Sequence, residues 1–199
     1  MNPSSRVSPE TRSAIADAAA WRLLSLLLER PRPGWREEIE ALAREVGEGD
    51  LQEVSAMVSE AREGVYLALL GPGGPVSPRE CAYSPYQDPA AILADLKAFY
   101  EAFSYNPTSE EPLDHIATEA GFVSYLKMKE AYARARDDHD ALGVTKSAYQ
   151  RFLEEHLGKF AVAFHERLAP VAETYLFPAA LALSNKISQT ISSVEPSSL

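Results

Sequence analysis

The sequence predicts an all-α protein of about seven or eight helices, and three observations carry that expectation. Apolar residues recur at i, i+3, i+4 and i+7 through most of the 199-residue chain. No stretch alternates apolar and polar with the period of two that a half-buried strand requires. Proline, glycine and small polar residues punctuate the periodic segments where helices start and stop.

The elements follow in order. Ser8-Pro9-Glu10 supplies a cap, a proline at the first helical position and an acid near the positive helix end, so a helix is expected to reach about Glu29, before Pro31 and Pro33. Its last turns, LLSLLL, are apolar nearly all round, which predicts insertion between several neighbours. A shorter helix runs from about Gly34 to Val46. After Gly47 and Gly49, Asp50 is placed to cap a third helix carrying Leu51, Val54, Val58, Ala61, Val65 and Leu69. GPGGPVSP, residues 71–78, mixes glycines that permit positive φ with prolines that fix it, which predicts an ordered turn. Residues 79–87 read as irregular, and Asp88-Pro89 opens a helix through Ile92, Leu96, Phe99 and Phe103 toward Asn106-Pro107. Pro112 and Asp114 read as the first turn of the next helix, which would place His115 one turn from Glu119 on a shared face. Beyond a polar stretch, residues 145–168 show Phe152, Leu153, His156, Leu157, Phe160 and Phe164 at helical spacing, broken near Pro170. A last helix, roughly 171–187 with Pro178 inside it, precedes a Ser-rich tail. Residues 1–8 and 188–199 are expected to be flexible and 9–187 to form the helical domain.

Composition narrows the function classes. The net charge of -10 with no dense basic stretch argues against nucleic acid as a partner and makes a basic partner easier to accommodate. One cysteine, Cys81, offers neither a disulfide nor a thiolate cluster, which fits a reducing compartment. The N-terminal residues lack a secretory core, and the run from Ala18 to Leu28 is interrupted by Arg22 and falls short of a bilayer span. A cytoplasmic protein without membrane insertion is expected.

Four clusters invite chemistry. GPGG lacks the GK[ST] ending of a phosphate-binding loop, and its prolines delete donors, so a structural turn is expected. Asp137, Asp138, His139 and Asp140 are adjacent on a polar stretch and read as a solvated charge run, with nothing like a calcium loop. His156 and His165 lie nine residues apart, which matches no helical ligand pair, so each is expected to find a backbone or carboxylate partner. Asp114, His115 and Glu119 are the serious case. Proline and aspartate suit a helix start, whereas a histidine there is unexplained, because protonation is disfavoured at the positive helix end. A catalytic dyad would also need a nucleophile, an oxyanion site or a metal, and no GxSxG or HExxH supplies one.

These residues resemble a known family. EEPLDHIATEAGF is similar to the E-P-x-D-H-[IL]-x-x-E-[LA]-x-F signature of the TorD/DmsD/NarJ group of redox enzyme maturation chaperones. Upstream, YLALLGPGGPVSPRECAY resembles the Y-x-x-L-F, Gly/Pro loop and S-P-Y-E-S-V-Y segments. Downstream, YQRFLEEHLGKFAVAF and AETYLFPAALAL are similar to the family's closing helices, so the likeness spans residues 60–185. It implies an all-α domain with a larger N-terminal and a smaller C-terminal part joined near the PxDH motif. Members are non-enzymatic cytoplasmic chaperones that bind the twin-arginine leader of an apo-form molybdopterin oxidoreductase and hold it until cofactor insertion.

Carried over by position, the client-binding residues implied are Glu111, Pro112, Asp114, His115 and Glu119, with Ser77, Pro78 and Glu80 shaping the same cleft. No catalytic residue, resident metal or cofactor is implied, and the state is monomer or homodimer. Arg79, Cys81 and Ala82 depart from the residues usual after the loop, and Ala120, Val123 and Phe160 stand where Leu, Met and Trp are common. Two readings from other classes stand beside this one: a small α-helical hydrolase using His115 with Asp114 or Glu119, and a non-catalytic helical adaptor whose PxDH stretch only starts a helix.

Overall fold

Local signals set most helix starts in the computed structural model, which describes residues 7–47 and 49–192. Ser8 caps α1 (Pro9–Leu28), its hydroxyl oxygen accepting from the Thr11 N–H at 3.1 Å, and Asp88 caps α5 (Pro89–Ala102) through the Ala90 N–H at 3.0 Å. Between them lie α2 (Trp35–Glu45), α3 (Gly49–Ala56), a 3-10 turn at Met57–Glu60, α4 (Glu63–Leu70) and a 3-10 turn at Glu80–Tyr83. Then follow α6 (Ile116–Ala135), α7 (His139–Phe152), α8 (Gly158–Leu168) and α9 (Leu176–Ser192). A π-helical turn, Leu153–Leu157, joins α7 to α8, so the two run as one rod. Among the described residues the protein is all-helical, and the sole extended pairing is an isolated antiparallel bridge between Arg79 and His115.

Four boundaries differ from the sequence reading. The expected third helix is two, because Ala61 and Arg62 are extended and the Arg36 guanidinium on α2 captures the Ala61 carbonyl, ending the helical ladder there. Helix α6 starts at Ile116, four residues after Pro112, because the backbone before it pairs with residues 78–80. Helix α7 begins at His139, since Asp138 accepts from the Ala141 N–H at 3.0 Å and turns part of the charge run into a cap. Helix α9 starts at Leu176 and continues to Ser192, within the residues expected to be tail; residues 1–6 and 193–199 lie outside the described ones.

The centre is the α1–α6 pair, the most extensive helix contact in the molecule. Small residues let the two backbones approach. The Ser25 hydroxyl donates to the Ala117 carbonyl at 2.8 Å, and the Ser124 hydroxyl donates to the Ala18 carbonyl at 2.8 Å. At Gly121 a Cβ would meet the Tyr105 hydroxyl at 2.7 Å and the Ser25 hydroxyl at 3.1 Å. The LLSLLL end of α1 is buried on every side, as its composition predicts. Around it Phe122, Phe152, Phe99 and Tyr100 interlock, with the Phe122 and Phe152 rings 4.7 Å apart at 69°. That edge-to-face geometry adds to area burial. The aromatic wedge props α6 against the α7–α8 rod and fixes the wall on which the PxDH residues stand.

Candidate functional site

His115 is the N-cap of α6. Its backbone is extended, with φ -82° and ψ 136°, and its Nδ1 accepts from the Ala117 N–H at 3.1 Å. A neutral imidazole can thus do what an Asn or Ser usually does at this position, and that is what the helix-start reasoning missed: the free N–H groups repel imidazolium but welcome the lone pair of the neutral ring. With Nδ1 accepting, the ring proton sits on Nε2 and is donated to the Tyr66 hydroxyl at 3.0 Å, which itself donates to the Leu28 carbonyl at 3.2 Å. Burial pulls His115 down to about 3; the Asp114 carboxylate opposes this and the Arg79 guanidinium adds to it. The imidazole is therefore a neutral capping group at physiological pH.

Asp114 is not a first-turn acid but the clasp of the bridge. Completely buried, it receives the Arg79 guanidinium at 2.9 Å and the Cys81 N–H at 3.4 Å, while its backbone carbonyl accepts from the Glu80 N–H at 2.9 Å. The Ile116 N–H, otherwise an orphan of the helix start, donates to the Pro78 carbonyl at 2.9 Å. Arg79, which departs from the family pattern, thereby supplies the countercharge for a buried carboxylate. Burial pushes the neighbouring Cys81 thiol up to about 12, with Asp114 adding to the rise, so it is no ready nucleophile.

Behind the clasp lie Glu80 and Glu119, both buried. Glu119 has no hydrogen-bond partner on either oxygen, and burial, with Glu80 and Asp114 nearby, holds its carboxyl well above the usual range. Glu80 faces His156 on the π-helical turn, its two oxygens 3.1 and 3.3 Å from Nδ1. His156 thus has the carboxylate partner expected of it. His165 instead stacks on Phe177 at 4.8 Å, with no hydrogen bond at Nε2.

In front of the clasp a cleft of about 450 Å³ opens between α4, the glycine loop and the PxDH turn. Of the residues expected to shape a client site, Ser77, Pro78, Glu111, Pro112 and His115 line it, whereas Asp114, Glu80 and Glu119 stand behind its wall. Arg79 and Tyr66 also line it; the first partners a carboxylate 35 residues away, which no local pattern discloses. Gly73 holds φ at +83°, and a Cβ at Gly74 would strike the Leu69 carbonyl, so the loop is the ordered turn that its composition predicts. Ala120, Val123 and Phe160 are buried in the core and do not line the cleft.

Arg30 and Glu111 are shared with an adjoining basin of about 710 Å³, which also holds Glu29, Glu38, Glu63 and Glu110 together with Arg22 and Arg32. Burial raises the Glu111 carboxyl, and Arg30, with its Nε 3.9 Å away, works against that rise. On the far side of α4, Tyr66 and the exposed Met57 and Val65 line a further groove of about 420 Å³. Of the groups the hydrolase reading would use, His115 has both ring nitrogens engaged and Asp114 is held by Arg79.

An all-helical protein in which a capping histidine and a buried aspartate close one wall of an open cleft defines the class. Residues 29–166, more than half of the chain, match the nitrate reductase delta subunit family, and the chain belongs to that family. Its fold is similar to a crystal structure from Archaeoglobus fulgidus described as a candidate redox enzyme maturation protein. The TM-score is 0.60 at 17% identity, covering 86% of this chain and 93% of that one, a likeness of fold. No curated protein matches the chain.

Proposed function

We propose that this protein is a molybdoenzyme maturation chaperone that holds the apo-form of an oxidoreductase catalytic subunit by its twin-arginine leader until the cofactor is inserted. The observation that carries the reading is the junction at Arg30 and Glu111 of a carboxylate-rich basin with the PxDH cleft. A leader of this kind presents two adjacent guanidinium groups followed by an apolar stretch. Guanidinium pairs favour carboxylate forks. Glu29 and Glu38 are held by Arg32, whereas Glu63, Glu110 and Glu111 share the single Arg30, at 3.3–3.9 Å, and are the carboxylates for which a leader arginine would compete. The apolar stretch needs a greasy ledge: Leu67, 39% exposed, offers one on the cleft wall beside Tyr66, and the exposed Met57 and Val65 offer a second across α4. Burying a few leucine side chains at about 25 cal/mol per Å² suffices for micromolar binding, about 8 kcal/mol, after ordering costs. The family membership and the redox-maturation description of the structural neighbour support the same reading.

Calorimetry with a synthetic twin-arginine leader tests it. The expected result is one site of micromolar affinity, weakened about tenfold when both leader arginines become glutamine and similarly by Glu111→Gln, which removes a charge at the half-buried junction. Equal affinity for the arginine and glutamine leaders, unchanged in the variant, would discard the reading.

A further inference from the structure

We propose that Asp95, Glu155 and His156 form a binding site for a divalent transition metal ion of the zinc type. The site lies apart from the cleft and does not rest on the function proposed above. Asp95 comes from α5, and Glu155 and His156 come from the π-helical turn between α7 and α8. One ligand atom from each lies within 4.8 Å of the other two.

The histidine ring carries the argument. It is 3% exposed and has a carboxylate at each nitrogen: Glu80 at 3.1 and 3.3 Å from Nδ1, and Asp95 Oδ2 at 3.3 Å from Nε2. The close double approach of Glu80 favours an N–H at Nδ1, and a ring with its one N–H there has a lone pair at Nε2. The buried Nε2 then turns a lone pair toward a second carboxylate, and it makes no hydrogen bond. A cation between the two resolves that opposition. With Zn–N and Zn–O bonds near 2.0–2.2 Å and a tetrahedral angle, the two ligand atoms stand about 3.4 Å apart, and the observed separation is 3.3 Å.

The surroundings agree with this assignment. Ligating histidines usually donate their other N–H to a carboxylate, which fixes the tautomer and strengthens the ligand; Glu80, 3.1 Å from Nδ1, is placed to accept it here. The π-helical turn that displays Glu155 and His156 is a rare distortion, frequent at functional sites. Gly158 at its end permits it, since a Cβ there would strike the Leu153 carbonyl. Glu155 is paired with Arg151 at 3.0 and 2.9 Å on the surface, a bond that yields readily to a metal ion. One nitrogen and two carboxylates suit zinc, with a fourth position open to water or to a donor group of another molecule, and they are too few oxygens for calcium.

The test titrates the full-length chain with Zn²⁺ by calorimetry and with Co²⁺ by visible absorption. One equivalent should bind, and the Co²⁺ bands should carry the intensity of a four- or five-coordinate ion. Asp95→Asn and Glu155→Gln, both at solvent-accessible positions, should each weaken binding tenfold or more with the helical circular dichroism unchanged. Glu154→Gln, exposed and one residue away, should leave it as it was. Nitrogen NMR of His156 should show a ring whose Nε2 loses its free lone-pair shift on metal addition. The proposal is overturned by sub-stoichiometric binding, by affinity that Asp95→Asn and Glu155→Gln leave unchanged, or by a His156 ring protonated at both nitrogens in the presence of Zn²⁺.

Discussion

His115 and Glu119 sit one helical turn apart, and burial gives them opposite pH dependences. The unfolded chain takes up a proton at His115 near pH 6.5, whereas the native ring resists it until about 3; the unfolded state binds more protons in that window, and stability falls as the solution is acidified. Glu119 has the opposite sign. Its native carboxyl keeps a proton that the unfolded chain releases above about 4.5, so its contribution falls as pH rises. Glu119→Gln should therefore raise the urea midpoint at about pH 8 and change it little at about pH 4. A gain that shrinks with rising pH would contradict that assignment. The sequence marked both residues without disclosing the cap. A histidine beside an aspartate reads as chemistry or as recognition, while its capping role depends on the ring being buried and neutral, which Tyr66 and Leu28 decide from 49 and 87 positions away.

Helices were legible where their ends are set locally and obscure where a distant group sets them. Ser8-Pro9 and Asp88-Pro89 each carry their own cap, so α1 and α5 begin as the residues indicate. The break at Ala61 answers to Arg36 on another helix, and the late start of α6 answers to residues 78–80, which no window around Pro112 contains. The close approach of α1 to α6 has the same origin and gives a prediction. Gly121→Ala places a methyl 2.7 Å from the Tyr105 hydroxyl and should lower stability by about 1–3 kcal/mol in urea unfolding. Adding Tyr105→Phe removes the nearest clashing atom and should recover part of the loss; a double variant no better than Gly121→Ala would locate the strain elsewhere.

Across the whole molecule, a net charge of -10 acts at longer range than any single contact. A cationic leader should be drawn in faster at low ionic strength, so its association rate should drop roughly tenfold or more between about 50 and 500 mM salt while dissociation, governed by apolar burial, changes little. Stopped-flow measurements separate the two, and a salt effect confined to dissociation would count against charge steering. The all-helical class was legible because periodicity survives any arrangement of the rods, whereas the cleft was legible only through resemblance, since its walls come from Arg30 and from residues within 66–79 and 111–115. The α1–α6 clasp has a further consequence during synthesis. Ser25 waits for Ala117 and Ser124 bonds to Ala18, separations of 92 and 106 residues. The six-residue greasy end of α1 therefore leaves the ribosome long before its partner exists, so a protein whose fold is that of a guardian spends its own early life as a chain in need of one.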